Sequence, residues 1–188
     1  MAKTIRQLYN DEELSEDAVC LNEVPFLTNI SERINYVTVG AVDNLKCVTL
    51  ENELRSIIRA YSVRGLRTEV VQVDIQFKAL KDRSIFSVVI NAMSRDEHAK
   101  KIERYDRVIK KRSTFFHAIL PFDSLSRVMV MHLLKTAVLY VDDFVWKKGV
   151  SQTLSPLSIV KDAVLDFRLY FLVMHGKFLK TTRAQMTP

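Results

Sequence analysis

Residues 67–79, RTEVVQVDIQFKA, decide the reading of the fold. Val71, Val73, Ile75, Phe77 and Ala79 alternate with Gln72, Asp74, Gln76 and Lys78. A period of two places the first set on the buried face of a β-strand and the second on its wet face. Lys81-Asp82-Arg83-Ser84 follows as a polar turn, and residues 85–92 return as a second, more apolar strand. Two strands across a short turn predict a β-hairpin, which argues against a doubly wound parallel sheet.

Upstream, Leu50, Leu54, Ile57, Ile58 and Tyr61 fall on one face of an amphipathic helix, with Gly65 where a C-terminal cap belongs. Residues 45–50, LKCVTL, read as a short strand before it. Downstream, Ser94-Arg95-Asp96-Glu97 is a capping box that opens a helix ending near Lys111. Its apolar stripe, Ala99, Ile102, Tyr105 and Ile109, is narrow, so most of its circumference faces water. Residues 113–120, STFFHAIL, read as a third strand. Asp123 or Ser124 caps a largely buried helix whose one side carries Val128, Met129, His132, Leu133 and Leu139, and His132 is expected in the core. Ser155-Pro156 opens a helix to about Ala163, and Leu165, Phe167, Leu169, Phe171 and Val173 alternate as a last strand. The expectation is an α+β fold: an antiparallel sheet packed by several helices, with a single basic domain over residues 31–188. An acidic N-terminal arm over residues 1–30 precedes it.

The composition agrees with one globular domain. The chain has 188 residues, 48% of them hydrophobic and 27% charged. Four glycines and no glycine-rich loop exclude the usual phosphate-cradling motifs. Charge is unevenly spread: residues 1–53 hold four basic and ten acidic groups, the rest twenty-four and twelve. The acids Asp11, Glu12, Glu13, Glu16 and Asp17 crowd one stretch. They are expected to be exposed and to contact the basic body of a neighbouring copy, giving a homo-oligomer. Cys20 and Cys47 match no zinc or redox spacing and are expected as reduced thiols. No apolar leader or membrane-length stretch is present, so the expectation is a protein of the host cytoplasm or virion, peripheral to membranes and not secreted.

Nothing local spells out catalysis. His98, His117, His132 and His175 lack metal-ligand spacing, so no metal and no cofactor is expected. Asp142-Asp143 reads as a solvated turn or helix end, with a divalent-ion site as the alternative. The expectation is a non-enzymatic protein; an active site assembled from distant residues stays open because it leaves no local trace. One constellation stands above background. Lys100, Lys101, Arg104, Arg107, Lys110, Lys111 and Arg112 fall within thirteen positions, and spacings of three and four align Lys100, Arg104, Arg107 and Lys111. Such a row binds a run of phosphates. Lys147 and Lys148 are expected to extend it if the fold brings them near. The competing reading is a solvated helix, since Glu103 and Asp106 stand four residues before Arg107 and Lys110.

The size, basic body, charged N-terminal stretch and scarce glycine, together with KKRSTFFHAILPFDSLSR at residues 110–127, resemble a matrix protein of a negative-strand RNA virus, of the plant rhabdovirus kind. No PPxY motif is present, and no site residue carries over. The resemblance implies self-association, binding of nucleoprotein or RNA, and contact with anionic membrane surfaces. A viral RNA-binding accessory protein, such as a movement protein or silencing suppressor, is the alternative.

Overall fold

The computed structural model describes residues 8–81, 87–93, 100–145 and 149–161. Five strands, β1 (Asp11–Leu21), β2 (Val24–Ser31), β3 (Val37–Ala41), β4 (Arg67–Val73) and β5 (Val89–Ala92), form one sheet in the order β3-β2-β1-β4-β5. Four helices pack on it: α1 (Cys47–Val63), α2 (Lys100–Ala118), α3 (Arg127–Asp142) and α4 (Pro156–Lys161). This is the α+β class expected. The sheet is mixed: β1–β2 and β2–β3 pair antiparallel, while β1–β4 and β4–β5 pair parallel.

The expected hairpin is therefore not there. After Val73 the chain leaves the sheet in a 3-10 turn, Ile75–Leu80, which buries Phe77 and Leu80 in the core. An apolar spacing that suits a strand also suits this turn, and core burial selects the turn. β5 then returns parallel to β4.

The acidic stretch is the larger correction. β1 is the central strand, not an arm, and Glu12, Leu14, Ser15 and Glu16 are all buried. A strand paired on both edges is covered by helices whatever its charge. Two of its polar side chains bond across to the end of β2: Ser31 Oγ donates to Glu12 Oε2 (2.5 Å) and Ser15 Oγ donates to Glu32 Oε1 (2.6 Å). The proposed contact with another copy is not available to Glu12 and Glu16, while Asp11, Glu13 and Asp17 are half-buried. Asn22 and Glu23, both at positive φ (47° and 62°), close a two-residue hairpin between β1 and β2.

Helices follow their apolar stripes. α1 buries the five expected residues, Leu50, Leu54, Ile57, Ile58 and Tyr61, and Gly65 at φ 72° ends it. It begins at Cys47, so residues 45–50 are mostly helical rather than a strand. α2 runs through residues expected as a third strand, because the stripe Ile102, Tyr105 and Ile109 continues at helical spacing into buried Ser113 and half-buried Phe116. Ser126, not Asp123 or Ser124, caps α3 by accepting from Met129 N–H (3.4 Å). His132 is exposed, because the buried face of α3 is Val130, Leu133, Leu134, Ala137, Val138 and Val141. Ser155 caps α4 as read, accepting from Ser158 N–H (3.1 Å). The capping box at 94–97, residues 162–188 with the expected last strand, His98 and His175 lie outside the described residues. Cys20 and Cys47 are both free thiols.

Two cores flank the sheet. One lies under α1, around Leu14, Leu27, Leu54, Val71 and Phe77; the other lies under α2 and α3, around Phe26, Ile30, Tyr105, Ile109 and Leu134. On the α1 side the Glu53 carboxyl rests directly on Gly40 of β3, so a Cβ at Gly40 would stand 1.6 Å from Glu53 Oε1. Gly40→Ala is expected to cost no more than about 1 kcal/mol, the cost of swinging the flexible Glu53 side chain aside. In a Glu53→Ala background the same change should cost nothing, because the obstructing carboxyl is gone. Chemical denaturation of the four proteins of this cycle measures the coupling; additive costs would rule it out.

Candidate functional site where β1, β4 and α2 meet

β4 ends at Val73, opposite Glu16, while β1 runs on with β2 alone beside it. Two acids mark this point, Asp17 on β1 and Asp74 just past β4. α2 crosses above β1 and β2 on the same face and brings a third, Asp106. Asp17 Oδ1 accepts from Ala18 N–H (2.7 Å) and Thr28 Oγ1 donates to the Asp17 carbonyl (3.2 Å). Asp106 is only 5% exposed, and neither of its carboxylate oxygens has a partner in hydrogen-bond geometry. Burial pushes Asp106 up to about 7, helped by the charge of Asp17 and opposed by Thr28 and Lys110. Asp17 is raised by burial too, with the charge of Asp74 adding to it. Two carboxyls facing each other out of water hold one proton between them more readily than they ionise together.

Beside this pair the sheet offers a polar shelf: the Gln72 amide reaches the Glu13 carboxylate, and Asn91 Nδ2 stands 3.5 Å from Gln72 Oε1. The outer face of α2 carries the cations. Arg104, Arg107, Lys110 and Lys111 are exposed. Arg107 Nε lies 3.4 Å from the Glu103 carbonyl, and the Arg104 guanidinium stands 5.9 Å from the Tyr105 ring centre. Lys101 does not join them. Its Nζ is 3.1 Å from Glu32 Oε2 and donates to the Ser31 and Glu32 carbonyls, pinning α2 to the β2–β3 turn. Arg112 is half-buried with its guanidinium 5.9 Å from the Phe144 ring centre. The side chain of Lys100 and all of Lys147 and Lys148 lie outside the described residues. The structure thus keeps the expected row in reduced form, and brings to it three acids that sequence reading had assigned elsewhere: Asp17 to an arm, Asp74 to a wet strand face, Asp106 to helix decoration.

Asp142 and Asp143 end α3 as expected but are buried, not solvated. Asp142 Oδ1 accepts from Val37 N–H (2.9 Å), and burial holds its carboxyl well above the usual range. His117 Nε2 lies 3.2 Å from the Phe122 carbonyl, an ordinary structural contact. Among the described residues, no three His, Cys, Asp or Glu groups stand close enough to hold a metal ion, and no helix is long and apolar enough to cross a membrane.

No family model matches the chain, and no curated protein matches it. Among solved structures it is similar to the catalytic core domain of BIV integrase, at 12% sequence identity and a TM-score of 0.55. The likeness covers 88% of this chain and 97% of that one. It shows a shared fold.

Proposed function

We propose that the protein acts on nucleic acid by metal-assisted phosphoryl transfer, with Asp17, Asp106 and Asp74 as its carboxylates and the Arg104, Arg107 and Lys111 row as its phosphate grip. One observation carries the reading. Asp17 of β1 and Asp106 of α2 face each other where β4 stops, Asp74 acts on Asp17 through its charge, and Asp106, on the cationic helix itself, is buried with neither oxygen in hydrogen-bond geometry. An uncompensated buried carboxyl destabilises a fold, so its presence suits a task other than stability. Oxygen-only donors fit a hard divalent cation such as Mg2+ or Mn2+, which Asp17 and Asp106 would hold. When bound, such an ion stabilises charge developing on a phosphoryl group. The chain's own part is to orient: the row on α2 holds the polynucleotide backbone, and the Gln72–Asn91 shelf lies beside the carboxylates. That a solved relative in fold is the catalytic core of an integrase supports the reading.

The test is incubation of the protein with Mn2+ or Mg2+ and a labelled DNA duplex. Metal-dependent phosphodiester cleavage or strand transfer is expected. It should be lost in Asp17→Asn, Asp74→Asn and Asp106→Asn, with DNA binding through α2 retained. Intact binding without any metal-dependent cleavage would sink the catalytic reading.

A second reading is favoured by the exposed cations of α2, Arg104, Arg107, Lys110 and Lys111, which need no catalytic centre to hold a polyanion. In it the protein is a non-enzymatic, matrix-like viral component. It self-associates and holds RNA or nucleocapsid, and anionic membrane surfaces, through the same face of α2.

A further inference from the structure

We infer that the aromatic row across the ends of α2 and α3 is a stacking platform for an unpaired base of a single-stranded polynucleotide end. The inference deepens the nucleic-acid reading above and rests on it. Phe115, Phe116, Tyr140 and Phe144 form a chain of rings with centroid steps of 6.0, 5.2 and 6.5 Å. Phe115 is 63% exposed and Phe144 46%. An exposed ring gains nothing from water, so two of them on one continuous row ask for an occupant.

Charge identifies that occupant. Phe115 stands four residues after Lys111 and eleven after Arg104, so it continues the same helical stripe as the cations. Arg112 lies against Phe144 at the other end of the row. A strand with its phosphates on Arg104, Arg107 and Lys111 therefore delivers its next base to the Phe115 ring. Every base has a π-face, so the platform accepts any sequence. A duplex keeps its bases stacked inside and offers the ring nothing.

The experiment is an anisotropy titration of the full chain, without added metal, using a labelled single-stranded oligonucleotide and the blunt duplex of the same sequence. The Phe115→Ala/Phe144→Ala protein should bind the single strand roughly 10-fold more weakly. Its duplex affinity should not change, and Phe115→Trp should restore single-strand binding. Thermal melting confirms that the variants fold. An equal loss on both probes, or no loss on the single strand, overturns the platform. A change in sedimentation or in binding to anionic vesicles, with single-strand affinity intact, reassigns the row to a second copy or a lipid surface and overturns it too. Because no metal is present, the result stands whether or not cleavage occurs, so the two proposals fail separately.

Discussion

Replacing Glu16 with Gln is expected to stabilise the protein strongly at pH 8 and hardly at all at pH 4. Glu16 lies in the middle of the central strand, is 1% exposed, and has neither carboxylate oxygen in hydrogen-bond geometry. Burial, with the nearby charge of Glu53, pushes it up to about 8 from an ordinary 4.5, with Asn29 opposing. Below pH 4.5 folded and unfolded chains both carry the proton, so ionisation costs nothing. Between pH 4.5 and 8 the unfolded chain releases it and the folded one keeps it, so stability falls as pH rises. At pH 8 this lost stability is on the order of 3–5 kcal/mol. Gln fits the same space and has no charge to bury. The melting temperature should therefore rise by roughly 10 °C at pH 8. Glu12 and Asp106, each raised to about 7, slope the same way, so the variant should keep a weaker pH dependence. An equal gain at both pH values would show that lost hydrogen bonding, not ionisation, sets the cost.

The second large effect concerns α2. Arg104→Glu/Arg107→Glu/Lys111→Glu is expected to abolish nucleic-acid binding at physiological salt. Each cation that contacts a phosphate contributes about 0.7–0.9 to the slope of log affinity against log salt. Neutral Ala replacements at the three positions should therefore flatten that slope by about 2–3. Melting temperatures should barely move, because all three side chains are exposed. Lys101→Ala is the contrast. It removes the ion pair with Glu32 and two bonds to backbone carbonyls, so it should cost stability and leave the salt slope alone. A salt slope that ignores the three arginine and lysine changes but follows Lys101 would invert this assignment. Lys110 is left untouched because its charge acts on the Asp17–Asp106 pair.

Particular residues show what was readable in advance. The stripe of α1 and the cap at Ser155 were legible because helix spacing and capping are local facts. So was the cationic row of α2, since its residues lie within thirteen positions. The centrality of β1 was not legible. DEELSEDAVCL carries five acids among eleven residues, and only its pairing with β2 on one side and β4 on the other puts it inside. The parallel pairing of β4 and β5 was hidden for a related reason, because Ile75, Phe77 and Ala79 continue the alternating pattern of β4 while folding as a turn. The carboxylate site depended on both. Asp17, Asp74 and Asp106 are far apart in sequence; pairing of β1 with β4 brings Asp74 near Asp17, and α2 crossing β1 and β2 brings Asp106. One local hint existed: an acidic residue directly after the apolar run of β4, at the point where the strand stops.

The bond from Val37 N–H to Asp142 has a consequence for how the protein behaves when crowded. β3 is an outermost strand, and its free backbone groups are a template on which another chain can crystallise into a ladder. Asp142 takes the first of those donors, and α3 lies along the rim with Arg127 bound to Asp43 and the Val42 carbonyl at the other end. α3 thus meets that rim at both ends of the strand. The opposite rim, β5, is four residues long and too short to seed much. Among the described residues, annealing of another sheet onto β3 therefore meets α3 at both ends of the strand, even though the strand at the centre carries charges that a conventional core would reject.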